Sequence, residues 1–217
     1  MVLRRAGFTL LELMIVVTVM GTMAAMMAPG IGEFLADARA SGASEDLIRL
    51  SRHVRARVQQ TGLAHLLVYS AAVDVSGGLG RVLVYEGMNN HCRQTPWAQA
   101  INGTVANGFA TVDRLDLGDS SYNAPLSGTT AKKDDLGRQV ITLTVAGSRG
   151  APDAAVICFE PSGATFEGVG DASEASFAFT AQNAAIVFTV RRSVSGEQRG
   201  PNRDVIFPAG GAARFRF

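Results

Sequence analysis

The sequence predicts an α+β chain: one long N-terminal helix, apolar in its first half and amphipathic in its second, packed on an antiparallel β-sheet domain. Three observations predict it. Phe8 to Ala28 is an apolar run with a single charge, Glu12. Leu47, Leu50, Val54 and Val58 then recur at spacings of three, four and four, the period of one helix face. Beyond Gly62 the pattern changes to short β-branched and aromatic segments parted by turn residues.

The first element is the apolar run. It has 21 residues (28 − 8 + 1), which at a helical rise of about 1.5 Å extends about 31 Å, the thickness of a hydrocarbon core. Arg4 and Arg5 precede it, so the excess of basic residues keeps the N-terminus in the cytoplasm and sends the remaining chain across the membrane. A cleaved secretory signal is the first alternative. Its apolar region would be shorter, would end in an A-x-A-like site, and would be impaired by a carboxylate near its start. A plain membrane anchor is the second alternative, and it has no use for Glu12. A carboxylate in lipid costs at least about 2.5–3.5 kcal/mol unless something pairs with it.

The helix is expected to continue from Glu33 to Thr61, with Asp37, Arg39, Glu45, Asp46, Arg49, Arg52, Arg55 and Arg57 on its polar faces and Gly62 as its C-terminal cap. Gly42 is a local weakness. Pro29 removes the hydrogen bond to the Ala25 carbonyl, and with Gly30 and Gly32 just beyond it the turn is expected to kink or loosen. The strands are expected at 63–69, 81–86, 110–117, 139–145, 154–160, 176–180, 185–191 and 204–207, with 214–217 as a last edge strand. Loops 87–108 and 118–138 are longer than a compact fold needs, and each is either a partner surface or merely a mobile connection. The division is therefore 1–7, 8–28, 29–62 and 63–217.

The leader with Arg4 and Arg5, then Gly7, Phe8, Thr9, Leu10, Leu11 and Glu12, with Gly21 and Pro29 further along, resembles the N-terminus of the type IV pilin family, which includes the pseudopilins of type II secretion. The segments VICFEPSG at 156–163 and IVFTV at 186–190 look like the globular region of H-type minor pseudopilins and related minor pilins. That resemblance covers about the last third of the chain, and the central loops have no counterpart in it. The family implies a pilin-like fold with two antiparallel sheets against the second half of the helix. It also implies a prepilin peptidase that cuts between Gly7 and Phe8, removing 1–7 as a leader, and methylates the new amine of Phe8. In a filament, Glu12 would accept from the Phe8 amine of a neighbouring subunit, and Gly21 and Pro29 would soften the helix for packing. The implied partners are other pilins or pseudopilins through the helix, the peptidase and an inner-membrane assembly platform. The implied location is the inner membrane with the C-terminal domain in the periplasm, and afterwards the filament. A tip or initiation role fits better than an abundant shaft role, because two long loops would have to fit at every repeat.

No catalytic motif is present: no GxSxG, no HExxH and no GxxxxGK[ST], while Gly168-Val-Gly170 lacks the third glycine of a dinucleotide loop. The expectation is a non-enzyme without cofactor or metal. His53 is expected to be a solvated helix residue, and His65 a structural histidine in a strand. His91 and Cys92 are adjacent, which is poor geometry for joint metal binding. Cys92 and Cys158 have two readings: a disulfide in an oxidising periplasm, tethering the first long loop to the sheet, or one buried and one exposed thiol. From Arg191 onward six arginines face Glu197 and Asp204, an excess of +4 that ends in Arg214-Phe-Arg-Phe217. Nucleic acid is not among the expected partners. The alternative reading, a DNA-binding minor pilin of an uptake pilus, would use Arg214 and Arg216 with aromatic stacking, against an ordinary solvated edge whose arginines deter pairing.

Overall fold

A computed structural model describes residues 9–71, 79–95, 97, 111–119, 121–123, 139–147, 154–169, 178–194 and 197–216, without the side chains of 27–32, Gln139 and Val169. Its one helix among these, α1, spans Leu10–Thr61. The backbone is helical across Pro29, Gly30, Gly32 and Gly42. Residues up to Ala38 form one compact unit and those from Arg39 the other.

In the first unit every described side chain from Thr9 to Met26 is exposed. Leu10 is 79% exposed and Met26 81%, so apolar surface surrounds this stretch. A helix apolar all round has no stable place in water; it needs lipid or other helices around it. Its two central hydroxyls are satisfied within the helix, Thr18 donating to the Met14 carbonyl and Thr22 to that of Val19 at 2.9 Å. Among the described residues no helix is long and apolar enough to cross a membrane. Phe8 and the side chains of Met27 and Ala28, which belong to the run expected to span one, lie outside them.

In the second unit the helix presents the expected face. Leu47, Leu50, Val54 and Val58 are all buried, joined by Ala40 and Ala43. Gly62 closes the helix at φ +69°, donating to the Val58 carbonyl at 3.0 Å, the left-handed cap that glycine adopts without a Cβ penalty. The strands are β1 His65–Ser70, β2 Arg81–Glu86, β3 Thr111–Asp116, β4 Gln139–Ala146, β5 Ala154–Phe159, β6 Thr165–Val169, β7 Ala178–Ala181, β8 Ile186–Val194, β9 Glu197–Gln198, β10 Arg203–Phe207 and β11 Arg214–Arg216. They form two antiparallel sheets. One has the order β3-β2-β1-β5-β6-β7; the other has β11-β10-β8-β4, with β9 beside β8. Two strands were not expected. β6 reads TFEGV, where Glu167 and Gly168 hide the alternation, and β9 has only two residues. β8 runs to Val194, past the expected Arg191, because Arg192 is buried and donates to the Arg199 carbonyl at 3.2 Å.

The main core lies between helix and sheets. Leu47, Leu50, Val54 and Val58 meet Leu67, Tyr69, Val84 and Ile157 of the first sheet and Leu143, Phe188, Val190 and Val205 of the second. Phe188 packs edge-on against Tyr69, with ring centroids 5.7 Å apart. The sheets are also stitched by polar bonds: the Tyr69 hydroxyl donates to the Leu143 carbonyl, and the Leu143 amide to that of Leu79 at 2.7 Å. This approach requires Gly80, since a Cβ there would lie 2.8 Å from that of Leu143. A second apolar cluster occupies the opposite face of the first sheet, with Leu66, Val68, Val156, Cys158 and Phe179 capped by Cys92 and Trp97 of the segment after β2. Residues 87–95 and Trp97, expected as part of a long loop, are thus partly built into the domain.

Candidate functional site

The sequence reading places its main site at the start of α1, where the described residues begin at Thr9. Gly7 and Phe8, expected to flank a processing site, lie outside them. Glu12 does not lack a partner. Its Oε2 accepts from the Thr9 amide and from the Thr9 hydroxyl, both at 3.2 Å, while the Glu12 amide donates to Thr9 Oγ1 at 3.2 Å. The Thr9 carbonyl accepts the first helical bond, from the Leu13 amide at 3.2 Å. Thr9 is therefore the N-cap and Glu12 the third helical residue, a reciprocal capping box. The carboxylate also sits at the positive end of the helix dipole. The signal for this box, T-x-x-E ahead of an apolar run, is present in the sequence but was not used there. Among the described residues the box engages only one carboxylate oxygen, Oε2.

The other expected residues fall elsewhere. A Cβ at Gly21 would meet nothing within 4 Å, so among the described residues no neighbour demands a glycine there. The Pro29 side chain is outside the described residues. Cys92 and Cys158 are joined, with Cα atoms 6.0 Å apart, and both are buried. Arg214 and Arg216 are exposed on the edge strand β11. Phe215 between them stands opposite Val205 and packs on the main core, so it cannot stack on a base beside them. Phe217 lies outside the described residues.

The histidines make contacts that sequence reasoning did not anticipate. His53 is about half exposed, yet its Nδ1 is 2.8 Å from Asp113 Oδ2 on β3, tying helix to edge strand. Beside it the Tyr122 hydroxyl donates to Asp46 on the helix, and burial, helped by that carboxylate, pushes the phenol pKa up. His65 is fully buried; its Nδ1 is 3.1 Å from the Leu63 carbonyl, and its Nε2 lies 3.3 Å from Glu86, which also pairs with Arg57 at 3.2 Å. Burial pushes the His65 pKa below 6.5, against the opposing pull of the Leu63 carbonyl and Glu86. Above about pH 6.5 both folded and unfolded chains hold this imidazole neutral. As the pH falls below that value the unfolded chain takes up a proton first, and stability is lost. Urea midpoints between pH 7.5 and 5 are expected to drop in the native protein and to drop less in His65→Leu.

Among the described residues no group of histidine, cysteine and carboxylate side chains could hold a metal. Residues 3–28 match the family model described as the prokaryotic N-terminal methylation motif, which is the type IV pilin and pseudopilin signature. No curated protein and no solved structure matches the chain.

Proposed function

We propose that this chain, which carries the type IV pilin and pseudopilin signature at residues 3–28, is a minor structural subunit at or near the tip of a type IV pilus-like filament. The observation that carries the reading is a carboxylate fixed at the head of a helix whose first stretch, Leu10–Met26, is exposed and otherwise uncharged. Among the described residues Glu12 is bonded by Thr9 through one carboxylate oxygen, which leaves the other for a partner. Cleavage between Gly7 and Phe8 would supply that partner, the amine of Phe8 on an adjacent subunit. In hydrocarbon such a pair selects one stagger between helices, because others leave two charges unmatched. A simple membrane anchor would gain from Glu12 only the helix cap and would have no use for a stagger mark.

Before assembly the chain would wait in the inner membrane, its β-rich domain in the periplasm. Prepilin peptidase, an assembly platform and other pilins or pseudopilins, in a pilus or a type II secretion machine, would be its partners. The role is structural. Support for a DNA-binding role is reduced by Phe215, which packs inward and is not available for stacking.

The test is the mass of the mature chain. In cells with an active leader peptidase it is expected to lack 1–7 and to carry one added methyl on Phe8. A chain that still begins at Met1 in those cells would overturn the reading.

A further inference from the structure

We propose that residues 87–95 and Trp97 form a disulfide-latched lid over a second, separable apolar cluster, and that opening the Cys92–Cys158 latch releases this lid while the main core stays folded. The inference does not depend on membership of a filament.

The separability comes from strand alternation. On β1, Leu67 and Tyr69 enter the main core, while Leu66 and Val68 face the other way; on β5, Ala155 and Ile157 face the core, while Val156 and Cys158 face away. The two clusters share no residue, and the sheet lies between them. Losing the cover from one face leaves the other packed.

The lid is hinged where the Gly87 amide donates to the Ala64 carbonyl and the Ala64 amide to that of Asn89, both at 2.7 Å. Beyond the hinge, most of its grip runs through Cys92 and its neighbour. The Cys92 amide donates to Glu160 Oε1 at 2.9 Å, and Arg93 Nε donates to the Phe179 carbonyl at 3.0 Å with its guanidinium over the Phe166 ring. Trp97 caps the cluster at 2% exposure, and its indole N–H donates to the Cys92 carbonyl at 2.8 Å. The tryptophan is therefore placed by Cys92, and Cys92 is placed by its bond to β5. The ten described lid residues lose much conformational entropy for three buried side chains, Cys92, Thr95 and Trp97, a balance that the covalent latch tips.

The latch is a two-electron device. Closure removes two protons and two electrons from the thiols, passing the electrons to a disulfide donor by thiol–disulfide exchange. Opening consumes two thiol equivalents from a dithiol, which ends as a disulfide.

The chain has one tryptophan, Trp97, so its fluorescence reports the lid alone. In the full-length protein in detergent, the Cys92→Ala/Cys158→Ala double variant is expected to shift Trp97 emission to the red. Lid amides are expected to exchange at least about 100-fold faster, while those of β8 keep native protection. Native protein reduced by dithiothreitol and alkylated is expected to match the variant. Unchanged emission and lid exchange in the double variant would show that packing alone holds the lid. Loss of β8 protection with the lid would show a single cooperative unit. Either result overturns the proposal.

Discussion

Glu12→Val is expected to leave the chain in the membrane fraction and to lower its recovery in sheared filaments about 100-fold. The size follows from the partner left behind. An amine with no carboxylate to meet it in hydrocarbon costs about 2.5–3.5 kcal/mol, and each 1.4 kcal/mol is a factor of ten. Insertion does not suffer, since valine makes the run more apolar. The capping box supplies the control that separates pairing from local helix stability. Thr9→Val removes the hydroxyl that bonds Glu12 but leaves the carboxylate and the Thr9 backbone in place. Loss of an N-cap costs about 1 kcal/mol, so this variant is expected to incorporate with at most about a fivefold deficit. If the two variants fell equally, Glu12 would matter only as a cap, and the intersubunit pair would have no support. Immunoblotting of membrane and sheared fractions from the same cells measures both.

The helix was legible because its signals are local and repeated. Leu47, Leu50, Val54 and Val58 mark the buried face by spacing alone, and Gly62 marks its end. Most strands were legible to within two residues for the same reason, since β-branched runs between turn residues need no knowledge of their partners. β6 was not, because Glu167 is 3% exposed and Gly168 must be small where Val156 approaches its Cα hydrogen, and both break the apolar alternation. The lid was hidden for a different reason. Its stability lies in contacts between residues 66 positions apart in the chain, Cys92 and Cys158, and in Arg93 reaching Phe179. Composition marked both cysteines but left their pairing open. At the head of the helix the resemblance supplied a role for Glu12, yet the elementary T-x-x-E capping pattern beside it passed unused.

Asn123→Ala is expected to destabilise the β-rich domain by about 3–4 kcal/mol and to lower its melting temperature by roughly 10 °C, measured by circular dichroism in detergent. Asn123 is 3% exposed and lies in a segment that the sequence marks only as turn-rich. Its amide nitrogen donates to the Leu117 carbonyl at 2.7 Å and to the Ile141 carbonyl at 2.9 Å, while its oxygen accepts from the Ile141 amide at 2.7 Å. One side chain thus pairs with both backbone groups of Ile141 as a neighbouring strand would. β4 is the edge of its sheet, and Leu143 two residues on is covered by Leu79 and Tyr69. Removing the amide strands three buried backbone groups and uncovers part of that edge, so the variant is also expected to aggregate more readily on heating. Asn123→Asp separates the donors from the acceptor. It keeps an acceptor for the Ile141 amide but turns a carboxylate toward two carbonyls in a buried site. Its folded-state pKa must then lie above the unfolded value, so the deficit is expected to exceed that of alanine at pH 7 and to shrink as the pH falls toward 4. A deficit independent of pH would mean that water enters to solvate the carboxylate, and that this edge is less tightly sealed than its bonds imply.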